Sequence, residues 1–462
     1  MKTIPTTALA LALAAAFPVA AQGSADLQKE LEALKARISE LEGRIKAQET
    51  KEPQWGMTPD QARELNRVTV KTEALEDARD EAGLKQFVIS GYADPTYIRN
   101  SGLKNSGFNF LNNRADTSYS YDNSYFGSVV LDFNKETESG TRWRLTLSPN
   151  RGTDTVIDNG GVVQEASVSV PLGDLQTRLI AGHLPDWSGY EYQQATLNKL
   201  VTHNLLFDFT LPTSYTGAGM EITSGKWVAK GVLGQVNATR NADGQQGGAF
   251  AYRVDYSRGE FQGFGFAGVL GKVPNFRAID STTGALITNP VTGVDYSPVS
   301  TANLFEVDAY FIRGDWTVQG QISVGRQKLA AVTADPLTGE LRDSAWTGLS
   351  ALVAYKFTPR LEGTLRADYI RNAKNGGGLF GYTAADARNG IGPADLTALG
   401  GDQEVGANRH AMSFGVSYLW DLNTTLKLEY RQDFSNLPVF LTHDGQYRKR
   451  NTLLGASVVV SF

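Results

Sequence analysis

The chain has 462 residues, a formal net charge of −5 at pH 7 and no cysteine. The lack of cysteine excludes disulfides, thiolate metal sites and cysteine nucleophiles, and the acidic balance argues against a nucleic-acid partner. Glycine and aromatic residues are frequent, with 48 glycines, 18 tyrosines and 21 phenylalanines.

The first residues have the features of a secretory signal. Lys2 gives a positive start, an apolar run extends from Ala8 to Phe17, and small residues follow at Ala20 and Ala21. The run is shorter than the roughly 18 apolar residues that a spanning helix needs. We therefore predict a signal peptide over residues 1–21. An exported chain of this composition is either a soluble periplasmic protein or an outer-membrane β-barrel, and a mean hydropathy of −0.27 does not separate them.

Residues 22–50 carry a heptad repeat that predicts a coiled coil for oligomerisation. Charges of opposite sign flank the seam, as at Glu30 and Lys35, and favour parallel chains in register. Isoleucine and leucine at the two core positions favour a dimer. A trimer is expected if the membrane domain determines how many chains assemble. A single amphipathic helix lying on another surface is the alternative. The seam consists of Leu27, Leu31, Leu34, Ile38, Leu41 and Ile45.

A polar linker follows over residues 51–85. Pro53 ends the heptad repeat. Thr58 as N-cap, Pro59 at the first helical position and Gly83 as terminator then predict a second helix. Its polar character indicates a peripheral element rather than part of a core.

From Phe87 onward, short alternating segments replace the helical period. Seven tight turns separate them, in a stretch that follows Phe133 and at turns that start at Pro171, Thr223, Ser257, Arg313, Thr358 and Asp421. Longer polar stretches alternate with these turns, at positions 100–121, 150–161, 184–213, 238–247, 273–302, 328–344, 373–407 and 435–449. This rhythm predicts an all-β fold, a transmembrane antiparallel β-barrel of about 16 strands over residues 86–462. A soluble sandwich or propeller is not expected to alternate short and long connections in this way.

The positions of the tryptophans indicate which side of the membrane the short turns are on. Trp143, Trp227, Trp316 and Trp420 each lie within a few residues of a short turn. Amphipathic rings prefer the membrane interface, so these turns are expected on one, periplasmic, side. The chain ends on Phe462 at the close of an alternating strand. This ending resembles the C-terminal phenylalanine signal that the bacterial barrel-assembly machinery recognises, and it implies that machinery as a partner during biogenesis.

Alternation places the charged residues of each strand on one face. The lipid face must be apolar, so these charges are predicted to line the lumen, where charged rings bias which ions pass. A barrel of this size is wide enough for a water channel. The alternative is that the charges pair with one another and order the wall. The predicted pore-lining residues are Arg142, Arg144, Arg178, Arg253, Glu306, Asp308, Lys356, Glu362, Arg366, Asp368, Lys427, Glu429 and Arg431.

The long segment over 183–212 joins the predicted fifth and sixth strands. It has a helix-like middle and three candidate constriction residues, Asp186, Glu191 and Lys199. It either folds into the lumen, with its acids opposite wall arginines, or packs at the extracellular mouth. The arginines expected opposite the acids are Arg142, Arg144 and Arg178.

Several features together resemble a known group of proteins. The signal, the short coiled coil, the segment ISGYADPTY and the terminal phenylalanine resemble trimeric, coiled-coil-bearing porins of proteobacteria. Within residues 181–222, Gly189-Tyr190-Glu191 and Thr216-Gly217 are similar to the OmpL-like porin group. The resemblance implies a passive outer-membrane channel. General porins are constricted by their third long loop, and by strand order this would be the 183–212 segment.

Enzyme motifs are not convincing. The segment GFGFAG at 263–268 fits G-x-G-x-x-G, but it lies within a predicted strand and no helix follows it. The four histidines lack ligand spacing, so no metal or cofactor is expected. A hydrolase with a dispersed triad is the remaining enzymatic alternative.

The sequence as a whole predicts a non-enzymatic outer-membrane porin for passive diffusion of small hydrophilic solutes or ions. The expected partners are outer-membrane lipid, copies of the same chain with a trimer favoured, and peptidoglycan through the periplasmic helix. The alternative is a non-conducting barrel that acts as a structural anchor or adhesin.

Overall fold

A computed structural model describes residues 32–33, 35–40, 42, 59–81, 85–110, 127–148, 162–238, 247–280, 285–377, 380 and 404–462. The chain divides into two compact units, residues 1–85 and 86–462. In the first unit, helix α1 spans Pro59–Glu81 and begins at the predicted proline. None of the helices in the described part of the chain is long and apolar enough to cross a membrane.

The predicted signal peptide and most of the heptad seam lie outside the described residues. Of the seam residues, Ile38 is described; it is helical and 52% exposed. The coiled coil and its oligomerisation role stay predictions.

The second unit is a closed antiparallel β-barrel, which confirms the predicted fold class. Two barrel strands consist of two segments each, β1 with β2 and β3 with β4, so the eighteen segments of the sheet form sixteen barrel strands. The first and last strands close the barrel, with Tyr92 opposite Ser461. The segments are β1 (Phe87–Ala93), β2 (Thr96–Asn100), β3 (Asn105–Asn109), β4 (Val129–Glu136), β5 (Arg142–Leu147), β6 (Val163–Leu172), β7 (Asp174–Pro185), β8 (Ser214–Ser224), β9 (Trp227–Val236), β10 (Gly248–Ser257), β11 (Gln262–Pro274), β12 (Val299–Arg313), β13 (Trp316–Gln327), β14 (Ser344–Lys356), β15 (Leu361–Asn372), β16 (Arg409–Leu419), β17 (Thr424–Ser435) and β20 (Arg450–Ser461).

Three smaller elements belong to the long connections. Helix α2 (Leu205–Phe209) lies between β7 and β8, and a 3₁₀ turn (Phe276–Ala278) follows β11. A short hairpin of β18 (Phe440–Leu441) and β19 (Tyr447–Arg448) lies between β17 and β20.

The connections alternate between short and long, as the sequence predicts. The seven predicted tight turns coincide with the connections β4–β5, β6–β7, β8–β9, β10–β11, β12–β13, β14–β15 and β16–β17. The first long connection differs from the prediction of 100–121. The chain turns at 101–104, and β3 then pairs with β2. Its sequence, NSGFN, is rich in loop formers, yet the Phe108 ring lies 5.1 Å from that of Tyr97 on the neighbouring strand.

The two faces of the wall differ as a barrel requires. On β12, Phe305 and Phe311 point outward and are 48% and 42% exposed, whereas Glu306 and Asp308 point inward and are buried. The four tryptophans of the short-turn end are exposed on the outer face. They pack against neighbouring aromatic rings at an angle, and the ring centres of Trp316 and Tyr355 lie 4.6 Å apart.

An apolar core lies inside the barrel toward its long-connection end. Helix α2 contributes Leu205, Leu206 and Phe209, all of them fully buried. These side chains belong to one cluster with Trp346 near the start of β14 and Phe440 of the last long connection. The interior is therefore partly filled by protein at this end.

Candidate functional site

The chain from Asp186 to Thr213, here called the inner loop, connects β7 and β8 and folds into the barrel lumen. Its backbone contacts β12, where the Gly189 N–H donates to Glu306 Oε2 at 2.8 Å. Its side chains reach further, with the Tyr190 hydroxyl 2.6 Å from Ser350 Oγ on β14. Of the two placements left open by the sequence, the structure has the loop inside.

Arg366 on β15 is the centre of the loop's attachment, and its side chain is fully buried. Its guanidinium donates to Glu191 Oε1 at 2.8 Å and to the Thr202 carbonyl at 2.6 Å. It also donates to the His203 carbonyl at 2.9 Å and, on its own strand, to Asp368 at 3.1 Å. The planar guanidinium has five N–H donors, so one residue can bind two parts of the loop and the wall together.

Two residues of β17 hold the same stretch of the loop. Glu429 Oε2 accepts hydrogen bonds from the backbone N–H groups of Val201 at 2.8 Å and Thr202 at 2.6 Å. Arg431 donates to the His203 carbonyl at 2.7 Å. Both wall side chains are buried. A carboxylate that accepts from consecutive backbone N–H groups satisfies donors that a lumen-filling loop would otherwise leave unpaired.

The preceding part of the loop is held by two lysine contacts. Lys427 of β17 donates to the carbonyl of Ala195 at 2.6 Å. Lys199, a predicted constriction residue, donates to both carboxylate oxygens of Glu362 on β15, at 2.7 and 2.8 Å. Its side chain is 25% exposed, so this pair is the more solvated part of the attachment.

The predicted pairing of loop acids with Arg142, Arg144 and Arg178 was wrong. Glu191 binds Arg366 instead, and Asp186 accepts from Ser188 at 2.9 Å within the loop itself. The three arginines are close to the loop in sequence, but the loop crosses the lumen, and Glu191 meets a strand far along the chain.

Those three arginines have partners on their own side of the barrel. Arg144 lies 2.8 Å from Asp132, and Arg142 lies 3.0 Å from Glu136. Arg178 is buried and donates to the Gly140 carbonyl in a short turn at 2.6 Å. They therefore contribute to the wall near the short-turn end.

The remaining predicted wall residues fall into two situations. Arg253 on β10 pairs with Asp308 at 2.8 Å and with Asp255 at 2.7 Å, and it donates to the Trp187 carbonyl of the inner loop at 2.6 Å. Lys356, at the end of β14, is exposed at the short-turn rim. It has the inward phase but lies beyond the part of the lumen that the loop occupies.

The far end of the inner loop is apolar. Arg409 is buried between two aromatic rings, with its guanidinium carbon 4.8 Å from the ring centre of Phe209 in α2 and 4.8 Å from that of Phe440. Cation–π contacts of this kind are strongest where water is excluded. The last long connection therefore packs on α2 within the lumen.

A cavity of about 900 Å³ remains on the other side of the inner loop. It lies between the loop and a wall formed mainly by β4 to β10, to which β1, β12 and β13 also contribute, and Phe462 lines it at the short-turn end. The exposed Tyr192 ring and Leu197 side chain of the loop form one boundary of this cavity. Charged side chains of the wall form the other, among them Arg144 and Asp255.

Two titratable groups of the loop are perturbed by burial. Burial lowers the pKa of His203 to about 3, so its ring is neutral near pH 7. Its Nε2 lies 2.9 Å from the Tyr192 carbonyl, and its ring stacks on Phe207 at 4.1 Å. Burial also raises the pKa of Asp186 to about 6, although hydrogen bonds from Tyr215 and Ser188 oppose the shift.

Several loop-holding residues carry no signal in the sequence. Thr202, whose hydroxyl donates to Glu429 at 2.7 Å, and Ser350, whose hydroxyl donates to Asp368 at 2.7 Å, look like ordinary small polar residues. The inward phase of Ser350 identifies the face but not the contact. Among the described residues, no three His, Cys, Asp or Glu side chains are grouped to hold a metal ion.

Comparisons with known proteins support the fold. The described barrel is similar to the structure of in-vitro folded OmpT, an outer membrane protein of Vibrio cholerae, with a TM-score of 0.50, 11% identity, and coverage of 81% of this chain and 97% of that one. It is equally similar to the outer membrane channel DcaP of Acinetobacter baumannii, with a TM-score of 0.50, 11% identity, and coverage of 81% and 97%. At this identity the likeness shows the fold alone.

The sequence comparisons give a family without an activity. A comparison with curated proteins finds no match. The model of a family described as "Protein of unknown function (DUF3138)" matches residues 4–462.

Proposed function

This chain belongs to the DUF3138 family, and from that premise we propose that it is an outer-membrane porin for passive diffusion of small hydrophilic solutes or ions. The observation that carries the proposal is the charged cavity of about 900 Å³ left between the inner loop and the wall of β4 to β10. A closed barrel of sixteen strands is wide enough to hold both a folded loop and a water-filled path. One of the structures with a similar barrel carries the name of an outer membrane channel.

Planar-bilayer recording of the purified full-length protein tests the proposal. We expect discrete conductance steps, because a polar lumen with charged walls conducts hydrated ions. A matched control is the heat-unfolded protein from the same preparation, which should produce none. Correctly folded protein, shown by its heat-dependent gel mobility, that gives no steps would overturn the proposal.

A second candidate is a non-conducting barrel that acts as an anchor or adhesin. The apolar core inside the long-connection end favours it, because α2, Trp346 and Phe440 fill part of the lumen there. Removal of the inner loop discriminates the two functions. Steps in the parent protein support the porin, whereas steps that occur in the loop-deleted variant alone support the plugged barrel.

Targeting and assembly complete the proposal. We infer export through residues 1–21, assembly by the barrel machinery through Phe462, and trimers whose N-terminal helices bundle in the periplasm and contact peptidoglycan. One OmpT structure with a similar barrel is described as a trimer form. The narrower relationship to OmpL-like porins and the absence of an enzymatic activity are part of the same proposal. Deleting residues 22–50 should weaken the oligomer on mild gels, and an unchanged ladder would refute the coiled-coil role.

A further inference from the structure

Two arginines that line the cavity, Arg144 and Arg253, are each outnumbered by carboxylates. Arg144 on β5 lies 2.8 Å from Asp132 and 3.4 Å from Glu165. One guanidinium charge therefore meets two carboxylate charges, and the group of three keeps a surplus negative charge.

The same composition recurs at Arg253. This residue lies 2.7 Å from Asp255 and 2.8 Å from Asp308. Its guanidinium also donates a hydrogen bond to the Trp187 carbonyl at 2.6 Å. Arg253 thus has little capacity left to bind an anionic solute, while its two carboxylates leave a net negative charge beside the cavity.

A third group lies behind the inner loop, where Arg366 is 2.8 Å from Glu191, 3.1 Å from Asp368 and 3.7 Å from Glu429. This group is buried, and Arg431 and Lys427 bind the same stretch of the loop beside it. Its carboxylates therefore have further cations close by, and the group does not add to the excess of carboxylates at the cavity.

The cavity lining as a whole also has more carboxylates than cationic groups. Its side chains include seven carboxylates and four cationic groups. One group of each sign is paired with a residue outside the lining, Arg142 with Glu136 and Glu191 with Arg366. Six carboxylates and three cationic groups then remain, so the excess of carboxylates persists.

We propose that this lumen selects for cations, so that the channel passes small inorganic and organic cations in preference to anions. The inference rests on the proposed porin function and specifies its solute class. The local charge, rather than the total charge of −5 for the chain, is the cause, because charged rings on a pore wall bias which ions pass.

Reversal potentials of the full-length protein in a potassium chloride gradient test the proposal. We expect the sign given by potassium permeation. Asp255→Asn should shift the reversal potential toward zero, because it removes a carboxylate that faces the cavity with 30% of its side chain exposed. Arg253 keeps Asp308, so this variant should still fold. Arg144→Gln should shift the potential the opposite way, because it leaves two carboxylates without their cation.

Glu404→Gln is the matched control, since it removes one carboxylate from an exposed pair with Arg342 in a long connection. We expect no shift in the reversal potential. A parent channel whose reversal potential is zero or of the chloride sign would overturn cation selectivity while leaving the porin function standing. Equal shifts for Asp255→Asn and Glu404→Gln would also overturn it, because the cavity charges would then not be the cause. An absence of any conductance is instead a failure of the proposed function.

Discussion

The two sides of the lumen use charged residues in different ways. On the β12 to β17 side, Arg366, Glu429 and Arg431 are buried and hold the inner loop. On the β4 to β10 side, Arg144 is 40% exposed and Asp255 is 30% exposed at the cavity. Both sides show the same alternation in sequence. The comparison indicates that inward charge attaches the inner loop where the two are in contact, and faces the cavity where they are not.

The largest effect should follow removal of the centre of the attachment. Arg366→Met leaves Glu191, Asp368 and Glu429 buried without their cation, which costs about 3–5 kcal/mol. We expect a lower unfolding midpoint in denaturant and a larger single-channel conductance, because the loop detaches. Arg342→Met is the control, since its pair with Glu404 is exposed. Parental stability and conductance in Arg366→Met would contradict the division between the two sides.

A smaller effect should follow the loss of one acceptor. Glu429→Gln weakens the charge-assisted hydrogen bonds from the Val201 and Thr202 backbone groups, which we expect to cost about 1–3 kcal/mol. Glu362→Gln provides the comparison, because its partner Lys199 is partly exposed and we expect the pair to contribute less than the fully buried contacts of Glu429. Denaturant midpoints and current noise measure both. A larger loss of stability for Glu362→Gln than for Glu429→Gln would show that burial does not determine the strength of these loop contacts.

Acidification should loosen the attached side through His203. Its pKa is about 3 in the docked loop, against the ordinary 6.5, so the free loop gains a proton that the docked loop cannot. Docking therefore loses free energy as the pH falls from 6.5 toward 3, at roughly 1.4 kcal/mol per pH unit at most. Asp186 acts in the opposite sense between about 6 and 3.8, because its carboxyl is held protonated in the docked loop.

Conductance recorded from pH 7 to 4 measures this balance. The shift of His203 is the larger one, so the parent channel should open wider in acid. The His203→Gln variant should lack the response or reverse it. A parent channel that narrows in acid would show that Asp186 dominates instead.

The smallest effect on stability is expected on the cavity side. The Arg142 side chain is 57% exposed, and its pair with Glu136 is solvated. Arg142→Gln should change stability by less than about 1 kcal/mol while altering conductance. Denaturant unfolding and bilayer recording on one preparation check both halves of this expectation. A large stability loss would show that the cavity wall is as structural as the attached side.

The fold was predictable because it depends on patterns local in sequence. Strand alternation and turn chemistry identified the seven short connections, and inward phase identified residues such as Glu306 and Arg366. The site was less predictable because it depends on contacts across the barrel. Nothing near Glu191 in sequence points to Arg366, and sequence proximity alone favours the wrong arginines as its partners. The segment β3 is a second case in which contacts distant from the local pattern decide the structure. Its sequence favours a loop, but it pairs with β2, and the rings of Tyr97 and Phe108 are in contact.

The inner loop also constrains the order in which the protein folds. Glu191 binds a residue 175 positions later, and the Thr202 backbone donates to a residue 227 positions later. Leu200 and Val201 lie against Gly415 and Gly455, where any Cβ would touch them. Until β15 to β20 are in place, these loop groups have neither acceptors nor space to pack into. Docking of this part of the loop therefore requires the last strands of the barrel to be in place.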